Sequence, residues 1–165
     1  MSKIEYYTSM KRVCMLLSMV MLIACNAQQG LKKNAEELFY HIPETEALEK
    51  CKGYLTDDFY FLIEEMISLP DRTPVLHEWE FWFVAADGSA MADNTCEVES
   101  VERTDKTHAR AVILVHPSDK DYDVEEHTLL MEKVGGRWLL TDYDDTKRSC
   151  LRYIGNYRKE EVLSE

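Results

Sequence analysis

An α+β domain, with helices packed on one curved antiparallel sheet, is the fold class this 165-residue sequence predicts. Three observations carry it. Residues 34–68 place apolar side chains at helical spacing. Beyond Pro74 the texture changes to aromatic and β-branched residues, which favour strands. Gly135-Gly136 then separates two strand-like runs, the strongest hairpin signal in the chain.

The elements follow in order. In residues 34–50, Ala35 and Phe39, and Leu38 and Ile42, stand one helical repeat apart. Pro43 suits the first turn of a second helical piece. Thr56 is the expected N-cap of a helix that places Asp57 and Asp58 in its acidic first turn. That helix carries Phe59, Tyr60, Leu62, Ile63 and Met66, and should end near Ser68, because Pro70 follows. Strands are expected over Leu76–Ala85, Cys96–Arg103 and Ala109–Val115, the last buried on both faces. Asp87-Gly88-Ser89 and Thr104–Thr107 read as turns, and Ser118–Asp123 as a polar loop. His127–Val134 and Arg137–Tyr143 flank the two glycines. Lys147–Tyr157 closes the chain as a short helix with Leu151 and Ile154 on one face, leaving 158–165 as a tail. Order and length give one domain, with four or so antiparallel strands after the first helices.

The composition is globular: 45% hydrophobic and 30% charged residues, with a net charge of −12. Lys3, Glu5, Lys11 and Arg12 give the first 24 residues a charge of +2, so the remainder carries −12 minus 2, or −14. Such acidity disfavours a nucleic-acid partner, whose phosphates require Lys and Arg. It also disfavours docking on anionic lipid headgroups through the protein surface.

Lys11-Arg12 precede an apolar run, Val13 to Ala24, of about 12 residues, where a membrane-spanning helix needs about 20. A basic start and a short apolar core read as an export signal. The run ends Leu22-Ile23-Ala24-Cys25, which resembles the bacterial lipobox. The resemblance implies a signal peptide over 1–24, acylation of Cys25 (diacylglycerol, then palmitate-type chains) and a membrane tether over 25–33. Asn26, where inner-membrane lipoproteins often carry Asp, leans the expected location to the outer membrane, facing the periplasm. Met10 is as good a start as Met1.

Cys51, Cys96 and Cys150 remain in the exported part. They allow one disulfide and one thiol, or no disulfide, and buried thiols are the default. No zinc spacing links them. His41, His77, His108 and His116 lack a second ligand at i+2 or i+4. Asp119, Asp121 and Asp123 alternate as a calcium loop begins, but position 12 is Leu130 in place of Glu. No metal and no cofactor is therefore expected, and no phosphate-binding or serine-hydrolase motif occurs.

A two-residue loop at Gly135-Gly136 sets the register: Val134 opposite Arg137, Lys133 opposite Trp138, Met131 opposite Leu140 and Leu129 opposite Asp142. His127, Leu129, Met131, Trp138, Leu140 and Asp142 should then share one face, with Thr128, Leu130, Leu139, Thr141 and Tyr143 on the other.

The segments Tyr54–Tyr60 and Gly136-Arg137-Trp138-Leu139-Leu140-Thr141-Asp142-Tyr143 resemble the helix-leading and final-strand motifs of the NTF2-like superfamily, most nearly its DUF3828-type lipoproteins. The resemblance spans residues 34–154, within a domain read as 34–157. It implies a cone whose concave face and helices enclose a pocket, and it leaves a homodimer through the sheet open. On that frame His127 and Asp142 are the candidate acid–base pair at the mouth, by the logic of a base oriented by a carboxylate. Trp79, Phe81, Phe83, Met131 and Trp138 are the candidate apolar ligand-binding residues. The leading expectation is a lipid-anchored envelope protein that binds a small molecule or peptide without turnover. The alternatives are an acidic, immunity-type inhibitor of a basic partner and a small isomerase- or dehydratase-like enzyme.

Overall fold

The structure, a computed structural model, describes Met15 and residues 27–40, 48–69, 95–117 and 123–164. In chain order the elements are helix α1 (27–40), α2 (Leu48–Cys51), α3 (Asp57–Ser68), strands β1 (Thr95–Arg103), β2 (His108–His116), β3 (Glu125–Val134) and β4 (Arg137–Tyr143), and helix α4 (Thr146–Ser164). The four strands form one antiparallel sheet in sequence order. The α+β class is as the sequence predicts, with one helix following the sheet. The expected strand at Leu76–Ala85, the turn at Asp87–Ser89 and the loop over 118–122 lie outside the described residues.

Alternation builds the sheet. Ala109, Ala111, Ile113 and Val115 of β2, Leu129 and Met131 of β3 and Leu140 of β4 are buried on one face, and helices cover them. On the opposite face of β2, Val112 is buried and Leu114 half-buried, while Arg110 is exposed. The two-sided burial expected for this strand therefore holds only at its centre.

Each helix contributes its apolar stripe. Leu31, Ala35, Leu38 and Phe39 follow i, i+4, i+7, i+8 and place α1 against the core. Helix α3 has two working faces. Phe59, Tyr60 and Ile63 meet the sheet side, whereas Leu62 and Met66 pack on Cys150 and Ile154 of α4. Ion pairs Asp58–Lys147 and Glu65–Arg158 tie α3 to α4. Leu151, expected beside Ile154, is 59% exposed. The inward pair is Cys150 and Ile154, four residues apart on one helical ridge.

The helical boundaries extend beyond those read from the sequence. Residues 27–33, read as part of a pattern-free tether, belong to α1, because Leu31 is buried one turn ahead of Ala35. Residues 158–164, read as tail, continue α4.

Two devices shape β4. Gly135 and Gly136 have φ of 58° and 88°, the positive values that a tight hairpin turn requires at both positions. The register then runs as expected from Val134↔Arg137 to Met131↔Leu140, and slips between Met131 and Leu130. Beyond the slip Leu130 faces Asp142 and Leu129 faces Tyr143. Thr141 is the extra residue of this β-bulge, and one extra residue exchanges the faces of everything after it. On the far edge of β4, Tyr54–Thr56 runs alongside as a parallel bridge. Leu140 N donates to Tyr54 O (2.8 Å), and Thr56 N donates to Leu140 O (2.9 Å). Thr56 has the extended backbone of an N-cap, but its side chain makes no cap bond; its hydroxyl lies 3.2 Å from that of Thr141.

Candidate functional site

The bulge decides which residues meet at the end of the sheet. Tyr143 takes the core face beside Leu129 and His127, the place the sequence assigned to Asp142. The His127–Asp142 pairing is therefore corrected. Asp142 turns toward α4, where its Oδ1 accepts from the backbone N–H of Tyr143 (2.8 Å) and of Lys147 (2.9 Å). It satisfies donors at the start of that helix, as a capping carboxylate does. Burial pushes the Asp142 carboxyl above the ordinary carboxylate value, against the downward pull of these two N–H bonds.

His127 has other partners. Its Nδ1 lies 2.7 Å from Asp144 Oδ2 and 2.6 Å from the Tyr143 hydroxyl, and its Nε2 lies 3.3 Å from Glu125 Oε2. The Tyr143 ring sits 5.3 Å away, tilted by 33°. The imidazole side chain is 12% exposed, against 36% for Asp144 and 48% for Glu125. Burial increases from the carboxylates inward to Tyr143, which belongs to the core.

Asp144 is held firmly. It has a φ of 44° and Asp145 has 59°, left-handed values that Asp tolerates better than most residues. Its N–H donates to Thr128 O (3.1 Å) and its Oδ1 accepts from Thr128 N (2.6 Å), so backbone and side chain grip the same residue of β3. This aims Oδ2 at the imidazole.

The surroundings are acidic. Register brings segments 95–99, 114–117, 123–128 and 142–146 to one end of the sheet. They hold eight carboxylates (Glu97, Glu99, Asp123, Glu125, Glu126, Asp142, Asp144 and Asp145) and no Lys or Arg. Such a concentration sets a negative potential that draws cations. Among the described residues no group of three or more His, Cys, Asp or Glu is arranged to hold a metal ion.

Of the expected apolar ligand set, the two described members, Met131 and Trp138, are not gathered here. Met131 is fully buried in the core, and Trp138 is half-buried at the opposite, hairpin end. There Arg103 Cζ and Lys133 Nζ lie 5.7 and 5.8 Å from its ring centre. Trp79, Phe81 and Phe83 lie outside the described residues, as does Cys25. Cys51, Cys96 and Cys150 are buried thiols outside any disulfide. Burial pushes the Cys96 thiol up to about 12 and the Cys150 thiol to about 11, far from the thiolate a nucleophile needs.

The neighbours of the sequence candidate His127, namely Tyr143, Asp144 and Glu125, were not singled out from the sequence. The one available signal was Asp144-Asp145 before a helix start, a pair suited to a tight reversal. No family model matches the chain, and neither a curated protein nor a solved structure matches it. Among the described residues no helix is long and apolar enough to cross a membrane.

Proposed function

We propose that the chain is an exported lipoprotein, anchored through lipid on Cys25 to the periplasmic side of the outer membrane. Its domain is of the NTF2-like kind and acts by binding a cationic ligand, a basic peptide or an amine, at the sheet end built around His127. The lipid anchor is supported by Lys11-Arg12, the short apolar run and Leu22-Ile23-Ala24-Cys25. The coarse architecture, early helices on an antiparallel sheet with a terminal hairpin, accords with the NTF2-like reading.

The observation that carries the binding reading is the state of His127. Carboxylates stand at both ring nitrogens, Asp144 at 2.7 Å and Glu125 at 3.3 Å. A general base needs a nitrogen aimed at its substrate. Here each nitrogen already faces an acceptor, so the ring acts as a hub that holds two carboxylates in place. The acid–base enzyme is accordingly the weaker reading.

The test is titration of the mature protein with a tetralysine peptide at low salt, alongside native mass spectrometry of the protein as purified. The wild type should bind, and a Glu125→Gln or Asp144→Asn variant should bind about fivefold more weakly, the factor that an exposed ion pair of about 1 kcal/mol supplies. Equal affinity for wild type and both variants, or no binding at all, would remove the proposal.

A further inference from the structure

The overall charge of −12 conceals a segregation. The end of the sheet away from His127 is formed by the β1–β2 turn and the β3–β4 hairpin, joined where Lys133 N donates to Thr107 O (2.7 Å). Residues 102–110 and 132–137 place Arg103, Lys106, Arg110, Lys133 and Arg137 there, all exposed, against Glu102, Asp105 and Glu132. Among the described residues, five positive charges less three negative give +2 at this end, where segments 95–99, 114–117, 123–128 and 142–146 of the other end hold eight carboxylates before Lys147. Val134, 46% exposed, and the edge of Trp138 add apolar surface among these cations.

The direction of α1 says which end the anchor reaches. At the helix's C-terminal end, the Tyr40 hydroxyl accepts from Cys96 N (3.1 Å) at the start of β1. Two turns earlier, Lys32 Nζ donates to Val98 O (3.1 Å), further along the strand. Helix α1 therefore runs opposite to β1, and its first residues point toward β1's C-terminal end, the hairpin end. Cys25 is two residues before the first helical residue, and two residues span at most about 7 Å. A lipid on Cys25 cannot be far from this end of the domain.

We infer that the hairpin end, with Arg103, Lys106, Lys133 and Arg137, lies against anionic lipid headgroups, while the His127 end points away from the membrane. This rests on the lipoprotein reading of Cys25. The anchor supplies attachment, and the hairpin cations supply orientation: headgroups attract one end and repel the other. Clustered Lys and Arg beside a lipid anchor recognise anionic headgroups in this way.

The experiment uses the full mature lipoprotein in vesicles of phosphatidylethanolamine with and without phosphatidylglycerol. Lysine acetylation is followed by mass spectrometry. With phosphatidylglycerol, Lys106 and Lys133 should label about fivefold more slowly, the factor for a basic residue at an anionic surface. Lys147, at the acidic end, should label at the same rate in both lipids. High salt should abolish the difference, because it screens exposed charges, and an Arg137→Glu variant should reduce it. Equal labelling of Lys106 and Lys133 in both lipids, on a chain whose intact mass includes the acyl groups, overturns the orientation and leaves the anchor standing. An intact mass without acyl groups overturns the anchor and the orientation together.

Discussion

Asp142 and Asp105 are two carboxylates pushed in opposite directions, and each leaves its own mark on stability. Burial raises the Asp142 carboxyl above its unfolded value, so folding disfavours its charged form. Its contribution is therefore fullest below the unfolded value, about 3.9, and is lost as pH rises through the folded one. Asp142→Asn keeps an oxygen for the Tyr143 and Lys147 N–H groups and should flatten that slope in urea melts taken across pH 3 to 7. Asp142→Ala leaves both donors without this acceptor and should cost about 1–3 kcal/mol. Asp105 behaves conversely. Backbone N–H bonds, from Thr107 first and then His108, with further bonds from both side chains, hold its carboxyl down at about 2. Its contribution is present above the unfolded value and disappears as pH falls toward about 2. Asp105→Ala should weaken the fold at neutral pH while making it less sensitive to acid below pH 4. The role of Asp105 was legible, since Thr-Asp-Lys-Thr is turn chemistry and Asp side chains bond the backbone two residues on. That of Asp142 was not, because its orientation depends on a bulge.

The bulge is a matter of elements. Sequence and turn chemistry placed Val134 through Met131 against Arg137 through Leu140 correctly, since two positive-φ glycines leave little choice of register. They failed at Thr141 because Leu-Leu-Thr-Asp-Tyr contains no glycine or proline, and each step fits a regular strand about as well as a bulged one. Deleting Thr141 tests the argument. The deletion should restore a regular ladder while keeping Asp142 opposite Leu130 and Tyr143 opposite Leu129, so the domain should lose little more than the Thr141–Thr56 contact, about 1 kcal/mol. Guanidinium unfolding would report it; a loss of several kcal/mol would show that the bulge itself, and not only the register it sets, is required. Helix α3 was legible to the residue at its centre, through Phe59, Ile63 and Met66. The start of α1 was not, since Leu31 is the only large apolar residue over 27–34.

At the scale of the whole molecule the decisive feature is polarity. Summed charge suggested a uniformly acidic surface, whereas antiparallel register sorts the residues so that turn lysines and arginines gather at one end and strand-terminal carboxylates at the other. No local pattern announces this, because the segments that meet are up to about 50 residues apart in sequence. The polarity matters to function only if the chain is fixed at one point. A Cys25→Ser variant should therefore leave the membrane fraction for the soluble periplasm while keeping the melting temperature of the mature domain. Retention in the membrane would instead point to attachment through protein surface.

The two borders of the sheet are guarded by parts of the chain that precede it. Tyr40 and Lys32 occupy polar groups of β1, and Tyr54–Thr56 runs along β4. Exposed strand borders invite pairing with other chains. Synthesis proceeds from the N-terminus, so each guard exists before the strand it will cover. The order of elements thus acts as a safeguard against aggregation: a nascent sheet meets its own chaperoning segments first. Moving residues 27–56 behind the sheet by circular permutation would leave both borders uncovered until synthesis ends.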